Sequence, residues 1–113
     1  MYDEDADWQE GRMSASIEVA IRAHRIDGAF GWQAYQRESD GRQELLSEGA
    51  GIADAWDARA AAVAEAQRLE AVTGMAAYVT DYSHAPVLRL GARQFQRAAE
   101  RAKARWDANA AGQ

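Results

Sequence analysis

The sequence contains no cysteine, one proline at Pro86 and one lysine at Lys103. Without cysteine there can be no disulfides, thiolate nucleophiles or cysteine-based zinc sites, so the fold must be stabilised by packing. No apolar run approaches the roughly 20 residues that cross a bilayer. The first residues are acidic, whereas a secretory signal is basic and then apolar. We therefore expect a cytoplasmic protein without a membrane partner.

The length and composition predict one folded domain. The chain has 113 residues, nearly half of them apolar, which suits a single hydrophobic core. We divide it into an acidic arm over residues 1–15, a domain over 16–108 and a tail over 109–113 that we expect to fray. The arm lacks a sustained hydrophobic period, which is why we place it outside the domain.

Charge is distributed unevenly along the chain. The net charge is −5 overall, −4 over residues 1–15 and +4 over residues 85–113. Such uneven ends suggest interaction surfaces. The alternative is that the acidic arm folds back onto the basic end of its own chain.

Alternating apolar and polar side chains predict three strands, at 16–26, 30–37 and about 42–50. The Asp-Gly pair at 27–28 predicts a two-residue hairpin turn between the first two strands. The Ser-Asp-Gly triplet at 39–41 predicts the next turn. These three strands should form an antiparallel meander.

An alanine-dense run predicts the first helix, with Asp54 as its cap and Gly74 as its stop. A fourth strand over 75–82 and a second helix over about 88–108 follow. The order β-β-β-α-β-α predicts an α+β fold. We expect a mixed four-stranded sheet with both helices packed on one face.

Arginine recurs at every fourth position near the end of the chain, a pattern that we call the arginine ribbon. Its members are Arg89, Arg93, Arg97, Arg101 and Arg105. On a helix this spacing gives a slowly winding basic stripe, suited to phosphates or to an acidic partner. It is also typical of the solvated side of an amphipathic helix.

The predicted strand order brings acidic residues and histidines towards one edge of the sheet. They are His24, Asp27, Asp54, Asp57, Asp81 and His84. Grouped carboxylates can hold a divalent metal and activate water. Against a metal site, Asp27 and Asp54 already have turn and cap explanations, and neither histidine has a partner at a ligand spacing.

Four parts of the chain, taken in order, resemble the ribonuclease H-like fold: GWQAYQRESDG over 31–41, ELLSEGAG over 44–51, the alanine-dense helix, and VTDYSH over 79–84. The resemblance covers roughly residues 17–84. In that family an early-strand Asp, a helix Glu and a later-strand Asp bind two magnesium ions. The resemblance implies that Asp81 and Asp27 take the strand positions, whereas the helix position falls on or near Arg59. An arginine at a ligand position implies an inactive relative.

Our leading hypothesis is a small non-enzymatic protein-binding module without a cofactor. It would be an inhibitor, adaptor or regulator, bacterial or encoded by a phage or mobile element, and homo-oligomerisation stays open. The alternative is a ribonuclease H-like domain that binds or hydrolyses nucleic acid. In that alternative the catalytic residues are Asp27, Asp57 and Asp81, and Asp57 and Asp81 hold the magnesium. The arginine ribbon would contact phosphates. Besides the ribbon, the expected binding surface comprises Asp3, Glu4, Asp5, Asp7, Trp8 and Trp106.

Overall fold

A computed structural model describes residues 15–24 and 27–112. It has the α+β class expected from the sequence, with five strands and two helices in the described chain. The elements are β1 Ser16–Ala23, β2 Phe30–Arg37, β3 Gln43–Ile52, α1 Ala55–Thr73, β4 Ala77–Asp81, β5 Leu88–Gly91 and α2 Ala92–Ala111. The prediction of a four-stranded sheet is therefore wrong, because the sheet has five strands.

The additional strand, β5, lies where the sequence predicts the start of the second helix. It pairs antiparallel with β4, which places Arg89 opposite Thr80. Over four residues, alternating apolar and polar side chains fit either a strand or a helix. The pairing with β4 makes this segment a strand, so α2 begins only at Ala92. The helix ends at Ala111, so residues 109–111 of the predicted tail are helical.

The strand order of the sheet is β3-β2-β1-β4-β5, with β1 at the centre. β2 is antiparallel to both β1 and β3, which confirms the meander. β4 is parallel to β1 and antiparallel to β5. Consequently β1, β3 and β4 all end at one edge, which we call the carboxyl edge, and α1 starts there.

The connection from β1 to β2 is longer than the two-residue turn that we predicted. The backbone N–H of His24 donates to the carbonyl oxygen of Ala29 at 2.7 Å, so the chain reverses over 24–29. The predicted turn needs positive φ at both central residues. Gly28 has a φ of 71°. Among the described residues only glycines have a positive φ, so Asp27 does not meet this requirement. Asp27 instead accepts a hydrogen bond from the N–H of Ala29 at 3.0 Å.

The ends of α1 are set by the residues that the sequence indicates. The side chain of Asp54 accepts hydrogen bonds from the backbone N–H groups of Trp56 and Asp57. It supplies partners that the first turn of a helix otherwise lacks. Gly74 ends the helix with a φ of 75°, a left-handed conformation that glycine adopts without steric cost.

Alanine allows α1 to lie close to the sheet. Its buried face consists of Ala58, Ala62, Val63, Ala66 and Leu69. These side chains join one core cluster with Ile17, Val19 and Ile21 of β1, all of which are fully buried. Short side chains bring the helix backbone near the strands, and the larger aliphatics of β1 fill the space between them.

Only the first half of α2 contributes to the core. Ala92 and Phe95 are buried, whereas every residue over 103–112 is exposed. Because β5 ends opposite the carboxyl edge, α2 runs back towards that edge and lies beside α1. Both helices pack on the same face of the sheet. Neither described helix is long and apolar enough to cross a membrane.

We expect Gly49→Ala to lower the free energy of unfolding by about 1 to 3 kcal/mol, because the added methyl group would overpack the sheet. A Cβ at this position would lie 2.6 Å from Nε1 of Trp32. Urea denaturation measures the change. Gly112→Ala is the matched control, since its nearest neighbour would be a backbone oxygen at 3.4 Å. The control should change stability by less than about 0.5 kcal/mol, and equal losses would contradict the close contact.

Candidate functional site

The carboxyl edge is the first candidate site, because its acidic residues suggested a metal centre. β4 ends there with Asp81 directly opposite Ile21 of β1, in the parallel register that the metal hypothesis requires. The N-terminus of α1 and the loops after β1 and β4 supply the other side chains. The predicted residues that share this edge are His24, Asp27, Asp54, Asp57, Asp81 and His84.

Both carboxylate oxygens of Asp81 already accept hydrogen bonds within the protein. Nε of Arg59 donates to one oxygen at 2.8 Å. The other oxygen accepts from the backbone N–H of Ser83 at 2.9 Å and from its hydroxyl at 2.5 Å. The Asp81 side chain is 2% exposed, and the guanidinium of Arg59 also stacks on Trp56. A metal ion could bind here only by displacing Arg59.

The other acidic side chains at this edge have separate surroundings. Asp54 caps α1, and Asp57 is exposed in the first turn of that helix. The hydrogen bond from the Ala29 N–H lowers the pKa of Asp27, and nearby His24 acts in the same direction. Within residues 15–24 and 27–112, no three acidic or histidine side chains are grouped closely enough to hold a metal ion.

The arginine ribbon is divided between two parts of the fold. Arg93, Arg97, Arg101 and Arg105 lie on α2 with exposed side chains, as their spacing predicts. Arg89 lies on β5 instead, so the predicted placement of all five arginines on one helix is wrong. Four arginines therefore make up the helical part of the ribbon.

The second half of α2 presents an aromatic residue among these basic side chains. Trp106 is 63% exposed, although tryptophan carries one of the largest apolar surfaces of any residue. Beside it, Nζ of Lys103 pairs with Asp107 at 2.9 Å within the helix. The hydrogen bond to Asp107 raises the pKa of Lys103. Exposed tryptophan and arginine together are typical of protein interfaces.

The other candidate surface is the face of the sheet opposite the helices, which we call the open face. Its central side chains are Glu18, Tyr35, Arg37, Tyr78, Thr80 and Arg89, grouped by the strand register. Glu18 is only 5% exposed, and it accepts a hydrogen bond from the Thr80 hydroxyl. Nη2 of Arg89 lies 3.3 Å from the Glu18 carboxylate, and Nη1 of Arg37 lies 3.7 Å from it. Two guanidinium groups thus share one carboxylate.

Aromatic rings support two arginines on this face. The guanidinium carbon of Arg89 lies 4.3 Å from the ring centre of Tyr78, and that of Arg22 lies 4.2 Å from the ring centre of Tyr82. These cation–π contacts hold the guanidinium groups flat while their edges stay accessible. The hydroxyl of Tyr35 donates to the side chain of Gln33 at 2.8 Å.

A hollow of about 450 Å³ continues the open face towards the turn between β1 and β2. Small residues, Ala20, Gly31 and Ala50, contribute to its floor. A Cβ at Gly31 would lie 2.9 Å from the backbone oxygen of Gly49, so no larger residue fits the floor at this position. Arg22 and other polar side chains line the rim.

The N-terminal part of the predicted binding surface lies outside the described residues. It comprises Asp3, Glu4, Asp5, Asp7 and Trp8. The structure therefore assigns these five residues to neither candidate surface.

The sequence pattern did not predict the buried carboxylate of Glu18 on the open face. Glu18 alternates with aliphatic residues in β1, and this pattern predicts a side chain facing water. It is buried because β1 is the central strand and because Arg37 of the neighbouring strand β2 and Arg89 of β5, the strand beyond β4, cover it. The position of a glutamate in the middle of the most aliphatic strand could have indicated its burial. Its partners could not be identified, because they are far away in sequence.

Arg59→Met should leave the buried Asp81 carboxylate without its counter-ion. We expect a loss of about 3 to 5 kcal/mol in the free energy of unfolding, because an unpaired buried charge is costly. Arg42→Met is the matched control, since Arg42 pairs with Asp40 at an exposed turn. The control should lose less than about 1 kcal/mol. Urea denaturation measures both variants, and similar losses would contradict a structural role for the buried pair.

The chain was compared with family models, curated proteins and solved structures. No family model matches it, and no curated protein or solved structure shows a significant similarity. The ribonuclease H-like resemblance therefore stays an expectation.

Proposed function

We propose that this chain is a protein-binding module that contacts its partner through the second half of α2. The observation that carries the proposal is the exposure of every residue over 103–112, including Trp106 at 63%. Isolated helical turns are marginally stable in water, and most helices gain stability from packing of an apolar face. A partner that covers this end of α2 would supply the missing packing.

The charge of α2 indicates the chemistry of that partner. The helix carries five basic and two acidic residues, which gives it a net charge of +3. Acidic groups around the partner's site would steer association, while an apolar recess would take the indole of Trp106. We therefore propose a protein partner with an acidic rim and an apolar centre.

A role as an inhibitor, adaptor or regulator fits this surface better than catalysis. Such proteins act by occupying a surface, and their affinity is concentrated in a few aromatic and arginine side chains. The most deeply buried carboxylate at the carboxyl edge, that of Asp81, is neutralised by Arg59. It therefore contributes to folding and is not free for proton transfer or metal binding.

Trp106→Ala should weaken partner binding by about 30-fold, the effect expected from loss of an interface anchor worth ~2 kcal/mol. A partner would be captured with the full chain from a bacterial extract, purified and titrated by calorimetry. Val72→Ala on α1 is the matched control, because Val72 is 71% exposed but lies away from the proposed surface. A purified partner that binds both variants equally would contradict this use of α2.

Nucleic-acid binding is the second candidate function. It is favoured by the exposure of all four helical arginines of the ribbon at a spacing suited to successive phosphate contacts. The absence of an aromatic residue between Arg93 and Arg101, apart from the buried Phe95, favours contacts to phosphates over stacking with bases. We do not propose that the chain hydrolyses nucleic acid, because the Asp81 carboxylate is already paired with Arg59.

Reversing the charge of Arg93, Arg97 and Arg101 to Glu tests the second candidate with a single-stranded oligonucleotide. Binding should weaken, and the slope of log affinity against log salt should flatten by about two or three units, because each lost phosphate contact removes roughly 0.7 to 0.9. Arg42→Glu, at an exposed turn outside the ribbon, should change the slope by less than one unit. An unchanged slope in the triple variant would rule out the ribbon as a phosphate-binding surface.

A further inference from the structure

The open face carries surplus positive charge. Its strands present Arg22, Arg37 and Arg89 against the carboxylates of Glu18 and Glu48, a net charge of +1 on a chain whose total is −5, and the carboxylate of Asp27 lies beyond the strands at the rim of the hollow. In the described chain both helices lie on the other face of the sheet. An anionic segment that lay over the open face would therefore meet complementary charge in a region that no described element covers.

The surplus is concentrated where β1 begins. Arg37 and Arg89 share the Glu18 carboxylate, yet their side chains remain 45% and 47% exposed. One carboxylate neutralises only one of two guanidinium groups, so hydrogen-bond donors and about one positive charge remain available to a ligand. Ser16, the first residue of β1, lies directly opposite Arg37. The acidic arm thus joins the domain beside these arginines.

The hollow offers a place for a flat aromatic side chain. Its volume of about 450 Å³ can hold an indole ring, and Ala20, Gly31 and Ala50 contribute a low floor. Gln33 and Glu48 on the rim can accept a hydrogen bond from an indole N–H. An aromatic residue would therefore fit this end of the face, and a carboxylate beside it would have to be directed at Arg22, because Asp27 and Glu48 also line the rim.

We propose that the acidic arm binds the open face of its own domain and places Trp8 in the hollow. The charges are complementary, because residues 1–15 carry a net charge of −4. In this arrangement Glu10 lies near Arg37 and Arg89, and Asp7 lies near Arg22. The inference does not depend on the proposed function, which uses α2 on the other side of the sheet.

The length of the arm agrees with this placement. Trp8 precedes Ser16 by eight residues, and an extended chain advances about 3.3 Å per residue. Rising to a layer roughly 10 Å above the sheet uses about three of those residues. The remaining five reach about 17 Å, which is the distance that β1 covers in the five residues from Ser16 to Ile21. The hollow lies at that point, between Ala20 and Arg22.

The experiment uses the full chain, whose lack of cysteine allows a single nitroxide label at Ala6→Cys. Amide spectra would be recorded with the label oxidised and then reduced. We expect the strongest loss of signal at Gly31, Gln33 and Ala50, because the label would lie above the hollow. Raising the salt concentration should restore these signals, since it screens the ion pairs.

Two substitutions and one matched control test the contacts. Trp8→Ala should remove most of the signal loss, because the arm would lose its apolar anchor. Arg22→Gln should lower the ratio of docked to free arm by about two- to fivefold, the effect of one exposed ion pair. Arg97→Gln makes the same chemical change on α2 and should leave the ratio unchanged.

Three outcomes would overturn the inference. Strongest signal loss at the amides of Arg97 and Arg101 would show that the arm lies on α2. No selective loss anywhere would show that it does not dock. The third outcome comes from a mixture of two samples: one chain carries the nitroxide but no ¹⁵N, and the other carries ¹⁵N but no nitroxide. If the signal loss in this mixture is as large as in the doubly labelled chain, the arm occupies a second copy. None of these results would decide whether Trp106 binds a partner, so failure here is distinct from failure of the proposed function.

Discussion

The close packing of α1 on β1 is the contact on which the rest of the fold depends. Ala58, Ala62 and Ala66 have no exposed surface, and the aliphatic side chains of β1 beneath them are fully buried. Burial of apolar area is the main favourable term in folding, at about 25 cal/mol per Å². β1 also occupies the centre of the sheet, and its parallel pairing with β4 brings the ends of both strands to the carboxyl edge.

Two buried carboxylates lie on opposite faces of that sheet, and arginines neutralise both. Asp81 lies on the helix side with Arg59, and Glu18 lies on the open side with Arg37 and Arg89. A buried carboxylate needs a counter-ion and full hydrogen bonding because its desolvation is costly. These arginines therefore offset the desolvation of the two carboxylates. The difference between the faces is that Arg59 is itself nearly buried, whereas Arg37 and Arg89 remain half-exposed and can also contact a ligand.

The fold leaves two surfaces available for recognition, and the sheet separates them. The second half of α2 carries an exposed tryptophan among basic residues, and the open face carries arginines supported by tyrosines. Both surfaces are basic although the whole chain is acidic, because most of the acidic excess lies in residues 1–15. An acidic arm that covers one basic surface would leave the other free for a partner.

The sequence by itself determined the features that depend on neighbouring residues. Asp54 and Gly74 set the ends of α1 through contacts within one turn, and period-two alternation located the meander strands. The tertiary structure decided features that depend on distant partners. Arg59 meets Asp81 across 22 positions, and Arg89 meets Glu18 across 71. The four residues of β5 are too few for their period to distinguish strand from helix. Whether an arginine faces water, neutralises a buried acid or joins a sheet is fixed only when the strands pair, because both the local dielectric and the opposing charge arise from that pairing.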